Sequence, residues 1–118
     1  MKTDSEKREL SIIYQGLHGL DLTRAMQDYA KERVLKLCEH SQKIQSVTFS
    51  FSCRDTNRPE ERMKVRARLC LQGRIFTEFN AKAKAADMYK AIDAVVDIFE
   101  RKLRRRKRLL GILRKAPK

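Results

Sequence analysis

The strongest constraint on the fold is one apolar stripe in the second half of the chain. Met88, Ala91, Ile92, Val95, Val96, Phe99 and Leu103 recur at spacings of three and four. That period places all seven on one face of an α-helix. The spacing predicts a helix over residues 83–108, with Asp87 near its start and arginines at its end, in the sense that complements the helix dipole. One continuous apolar face of this length needs a sheet or further helices to cover it.

The rest of the chain supplies a sheet. Met63, Val65, Ala67, Leu69 and Leu71 alternate with Arg62, Lys64, Arg66 and Arg68, the period of a half-buried strand. Val47, Phe49 and Phe51 alternate in the same way with Ser46, Thr48, Ser50 and Ser52. Between these strands, residues 54–61 hold Asp55, Asn57 and Pro59 and read as a turn or loop. Gln72-Gly73 is a hairpin signal. It leads into a last strand over 74–81, with Ile75 and Phe79 on one side and Phe76 and Glu78 on the other. Near the start, Leu10, Ile12 and Tyr14 alternate with Ser11, Ile13 and Gln15. Gly16 and Gly19 then mark a loop, and Thr23 is an N-cap candidate. A helix follows to about His40, with Met26, Tyr29, Ala30, Val34 and Leu37 on its apolar side.

The expected fold is therefore α+β: a two-layer β-α-β-β-β-α domain whose four-stranded sheet carries two helices packed on one face. The first two strands are joined through the first helix by a parallel crossover, and the others form an antiparallel meander. The open sheet face would show Ser46, Thr48, Ser50, Lys64, Arg66 and Arg68. Residues 1–8 are expected to be a flexible leader, 9–108 the domain, and 109–118 a basic tail. In that tail Gly111 is expected to end or break the helix, beside an apolar group of Leu109, Leu110, Ile112 and Leu113.

Charge points to the partner. Ten of the 28 Lys and Arg residues fall within the last nineteen positions, and the formal net charge is +13. A block this dense repels itself unless a polyanion neutralises it, and phosphate backbones do so with release of condensed counterions. Sequence-specific single-strand readers display aromatic rings on an open sheet face. Here Phe49 and Phe51 fall on the core side and Trp is absent, so phosphate and shape contacts to structured RNA fit better. Other classes lack their residues. No Gly-rich phosphate loop or nucleophile motif is present, and His18 and His40 have no partners for acid–base catalysis. Cys38, Cys53 and Cys70 are widely spaced and odd in number, which argues for a reducing compartment and against a disulfide framework or metal site. No signal peptide or membrane-spanning run is visible. The reading is a cytoplasmic protein with no catalytic role, cofactor, small-molecule substrate or membrane partner.

Two stretches carry a resemblance. Residues 84–93, Lys-Ala-Ala-Asp-Met-Tyr-Lys-Ala-Ile-Asp, followed by Phe99-Glu100-Arg101-Lys102-Leu103, resemble the ribosome hibernation factors, once labelled sigma-54 modulation proteins. The pattern from Thr23 to Tyr29, with Arg33, Val34, Lys36 and Leu37, is similar to that family's first helix. The resemblance implies the same β-α-β-β-β-α fold and binding to the small ribosomal subunit and its rRNA, in the channel of messenger and transfer RNA. Translation would thereby be silenced under stress or in stationary phase. It also implies rRNA contacts from Arg33 and Lys36 on the first helix, and from Lys84, Lys90, Arg101, Arg104 and Arg105 on the second. Arg106 and Arg108 continue that run. Tyr89, at the motif tyrosine, is expected to pack. The chain departs from the family in a longer loop at 16–21, a denser arginine run, and no second domain or acidic tail, as in the short form. Two other readings compete: a double-stranded-RNA module, against which the strand near Leu10 argues, and a protein-binding transcription modulator using the apolar group at 109–113.

Overall fold

Alternating side chains build a four-stranded sheet in the order β1-β2-β3-β4. The computed structural model describes residues 10–17, 20–39, 43–54, 57–72 and 77–115, with side chains to Leu109. Its elements are β1 (Ser11–Gly16), α1 (Arg24–Leu37), β2 (Ile44–Cys53), a 3-10 turn (Pro59–Glu61), β3 (Met63–Leu71), β4 (Thr77–Ala85) and α2 (Met88–Lys115). β1 and β2 are parallel, with Tyr14 opposite Phe49. β2–β3 and β3–β4 are antiparallel, pairing Phe49 with Ala67 and Ala67 with Ala81.

Phe49, Phe51, Val47, Val65 and Leu69 are fully buried on one sheet face, against Ala30 and Val34 of α1 and Ala91, Ile92, Val95 and Phe99 of α2. This is the expected two-layer arrangement, with both helices on one face. α1 begins where the hydroxyl of Thr23 accepts from the Met26 N–H at 3.1 Å, the N-cap bond expected from sequence. It ends at Leu37, short of the expected His40. The Cys38 N–H caps it by donating to Val34 and Lys36 carbonyls. At the end of β1, Gly16 is needed because a Cβ there would collide with the backbone carbonyl of Leu20. The hairpin at Gln72-Gly73 and the placement of Ile75 and Phe76 lie outside the described residues.

Two further boundaries differ from expectation, both around α2. Residues 83–85, expected in the helix, belong to β4, where Val65 pairs with Ala83 and Met63 with Ala85. Ala and Lys favour helices, but Ala81, Ala83 and Ala85 alternate with Lys82 and Lys84, so a strand turns the alanines inward. α2 starts at Met88, where Asp87 Oδ1 accepts from the Tyr89 N–H at 2.8 Å. At the other end Gly111 does not break the helix, which continues to Lys115. One glycine costs a helix about 1 kcal/mol, and here it stands among leucine, lysine and arginine.

Candidate nucleic-acid interface

α2 presents the first basic surface. At about 100° per residue, Lys90, Arg101, Arg104, Arg105 and Arg108 share one outward arc, opposite the core stripe of Ile92, Val96, Phe99 and Leu103. All five are exposed. Lys90 lies about 16 Å along the axis from Arg101, and the exposed Asp97 falls on the same arc between them; the cations concentrate in the arginine cluster Arg101, Arg104, Arg105 and Arg108. Within that cluster Arg104 Nη2 donates to Glu100 Oε2 at 3.1 Å. Arg106 leaves this arc, turns toward β4 and is half-buried. With Lys102, Arg105, Leu109, Thr77 and Phe79 it lines a groove of about 550 Å³. Lys102 Nζ donates to the carbonyl of Asn80 at 2.9 Å and so satisfies a backbone acceptor of the edge strand.

The open face of the sheet is the second basic surface, and sequence reasoning placed only part of it. Lys64, Arg66 and Arg68 stand there as expected. The register adds Lys84 opposite Lys64 and Lys82 opposite Arg66. Lys84, expected on the second helix, therefore sits on β4. Alternation across residues 81–85 was the signal that could have found both lysines. Among the described residues on this face, Glu78 is the only carboxylate, and it accepts from Asn80 Nδ2 at 3.1 Å. The crowding is felt at Lys64. Partial burial pushes its ammonium below the ordinary lysine value, and Arg66, Lys82, Lys84 and Arg54 push the same way. Beside these cations, Gln15, Thr48, Ser50, Arg66, Arg68 and Asn80 line a shallow depression of about 230 Å³.

The seam between the helices is built differently. Arg33, expected to meet rRNA, has its side chain 26% exposed and lies 3.1 Å from Asp93 and 3.3 Å from Asp97. Its Nε faces Asp93 as an ion pair without the alignment of a hydrogen bond. Tyr29 donates to the same Asp93 oxygen at 2.6 Å. That bond, followed by desolvation, raises the Tyr29 phenol above its ordinary pKa. Asp93 and Asp97 thus join the helices from the solvent side of the seam. The Tyr89 ring meets Tyr29 edge-on at 5.1 Å but stays 37% exposed, so it packs at the rim of the core. Lys36 is exposed on α1 and lines a crevice with Arg33, Glu39 and Glu100.

Among the described residues no group of three or more His, Cys, Asp or Glu side chains is placed to hold a metal ion. None of the three cysteines forms a disulfide. No described helix is long and apolar enough to cross a membrane.

Comparison with known proteins agrees with this architecture. Residues 12–110 match the family described as Sigma 54 modulation protein / S30EA ribosomal protein. The ribosome hibernation promotion factor of Deinococcus radiodurans is 34% identical over 95 residues, which are 79% of this chain and 48% of that protein. The chain thus spans about half the length of that relative. The ribosome hibernation promoting factor of Azotobacter vinelandii is 34% identical over 86 residues, 73% of each chain. Among solved structures, a ribosomal subunit interface protein from Coxiella burnetii superposes with a TM-score of 0.69 at 23% identity, covering 82% of this chain and 97% of that one. The N-terminal domain of Thermus thermophilus Protein Y gives 0.62 at 21% identity, covering 80% and 93%. At these identities the structural likeness is one of fold. The family match spans nearly the whole described domain, and the chain belongs to the sigma 54 modulation protein / S30EA ribosomal protein family.

Proposed function

We propose that this protein is a cytoplasmic ribosome hibernation factor. It docks on the small subunit in the messenger and transfer RNA channel and silences translation under stress or in stationary phase. The observation that carries this reading is the rigid cluster of exposed arginines on α2, Arg101, Arg104, Arg105 and Arg108, with Lys90 further along the same arc. Guanidinium forks on one face of a helix match phosphates bidentately without reading bases. Structured ribosomal RNA offers such phosphates at high density, and the names of the two curated relatives support that partner. Among the described residues the open sheet face offers no aromatic platform for single-strand reading, since Phe49 and Phe51 are buried. Arg33 serves the helix seam in this reading, while Lys36, Lys84 and Arg106 extend the basic surface. The protein acts by occupying space, with no catalytic step.

Sucrose-gradient sedimentation with purified ribosomes, with and without excess transfer RNA, tests the reading. The expected result is migration with small subunits and intact ribosomes, displacement by transfer RNA, and inhibition of a translating extract. Protein left at the top of the gradient at low and moderate salt would overturn it. Equal affinity for a bare RNA duplex and for ribosomes would point instead to a general structured-RNA module.

A further inference from the structure

We propose that the open face of the sheet is a second site for the phosphate backbone of structured RNA, centred on Arg66, Arg68, Lys82 and Lys84, so that RNA grips the domain from both sides. The identity of that RNA as ribosomal rests on the function proposed above; the chemistry of the surface does not.

Lys64 opposes Lys84 and Arg66 opposes Lys82 in successive cross-strand pairs of β3 and β4. Like charges directly opposite each other on antiparallel strands destabilise a sheet. A surface that served solubility alone would intersperse the two signs, as the helix seam does with Arg33 between Asp93 and Asp97. The sheet face instead stacks five cations, with Glu78 at one end tied to Asn80. Burial lowers the Lys64 value first, and Arg66, Lys82 and Lys84 push it the same way. An approaching polyanion removes the like-charge cost, so the repulsion stored in the free protein favours binding.

The local donors fit a phosphate. The depression beside Arg66 and Arg68 is edged by Thr48, Ser50, Gln15 and Asn80; Ser50 donates its hydroxyl to Gln15 Oε1 at 3.1 Å, which holds the Gln15 amide at the rim. Two guanidinium groups beside the Thr48 hydroxyl and the Gln15 amide N–H match phosphate oxygens in both charge and geometry. Same-face residues along β3 stand about 7 Å apart and neighbouring strands about 5 Å apart, so the cations form a grid that a backbone can cross. The strands hold this grid rigidly, which lowers the entropy lost on binding. The face looks away from both helices, so an RNA segment bound here differs from one on the α2 arc.

Amide-resolved NMR titration with a short RNA duplex tests the site without the ribosome. Saturable shifts at Ser50, Arg66, Arg68 and Lys82, beside those on α2, are expected; shifts confined to α2 would overturn the proposal. The triple variant Arg66→Gln, Lys82→Gln, Lys84→Gln then tests it on the small subunit. Thermal stability should rise as the like-charge pairs are removed, while affinity falls about tenfold or more and the salt slope becomes shallower by about 2. A more stable protein that binds less well cannot be explained by misfolding. Unchanged affinity and slope in this variant, with wild-type binding intact, would overturn the sheet site and leave the hibernation reading standing. Sheet shifts with the duplex from a wild-type protein that ignores ribosomes would do the reverse.

Discussion

The helix seam and the open sheet face hold cations in opposite ways. In the seam, Arg33 meets two carboxylates, and Asp93 is also held by the Tyr29 hydroxyl. On the sheet, cations face cations across the β3–β4 ladder. The first arrangement consumes charge to join α1 to α2; the second spends stability to keep charge available. A count of basic residues does not distinguish them, but their neighbours do. The α2 arc lies between the two extremes, with Glu100 beside Arg104 and the other arginines pointing outward.

The largest effect is expected where charge is available. Changing Arg101, Arg104, Arg105 and Arg108 together to Gln should leave the fold intact. Small-subunit affinity should fall about 100-fold or more, and the salt slope should become shallower by about 3, checked by sedimentation at several salt concentrations. Arg33→Gln should do the converse, lowering the melting temperature while leaving that slope within about half a unit. Equal slope changes in both variants would erase the contrast between seam and surface.

Asp93→Ala should cost about 1–2 kcal/mol in urea unfolding, because it strips partners from both Tyr29 and Arg33. Tyr29→Phe should cost about 1 kcal/mol, and its pH dependence follows from the raised phenol value. A donor whose folded pKa lies above its unfolded one contributes in full below the unfolded value and loses that contribution as pH rises through the folded one. The stability gap between wild type and Tyr29→Phe should therefore hold through neutral pH and close only in strong alkali. The smallest effect belongs to Lys64, whose folded value is lowered. Its charge opposes folding below the folded pKa, and that penalty disappears as pH rises past the unfolded one. Lys64→Gln should raise the melting temperature slightly at neutral pH and not in alkali. Calorimetry of RNA binding in two alkaline buffers of different ionisation heat should show proton uptake, since a bound phosphate raises the lysine value again.

Much of the fold was legible because period and environment agreed. The strands around Phe49 and Val65 alternate cleanly, the stripe from Met88 to Leu103 has helical spacing throughout, and Thr23 is a cap in sequence and structure. Misreadings arose where local propensity and tertiary context disagreed. Lys82 and Lys84 sit among helix-favouring residues, yet pairing with β3 holds them in a strand. Gly111 looked like a stop, yet helix formers on both sides carry α2 through it. The candidate site was legible as a charge surplus on the second helix. The pairing of Arg33 was not, because its partners are 60 or more positions away and meet it only through helix packing. The sheet patch was half visible, since Lys84 was placed on the helix and Lys82 in the gap between the strand and the helix.

The most direct test of the central claim is the salt dependence of small-subunit binding, measured in parallel for wild type, the α2 quadruple variant and Arg33→Gln. The expected result is a steep slope for wild type, a much shallower one for the α2 variant, and a nearly wild-type slope for Arg33→Gln despite its lower stability. A slope unchanged by loss of the α2 arginines but flattened by loss of Arg33 would contradict it.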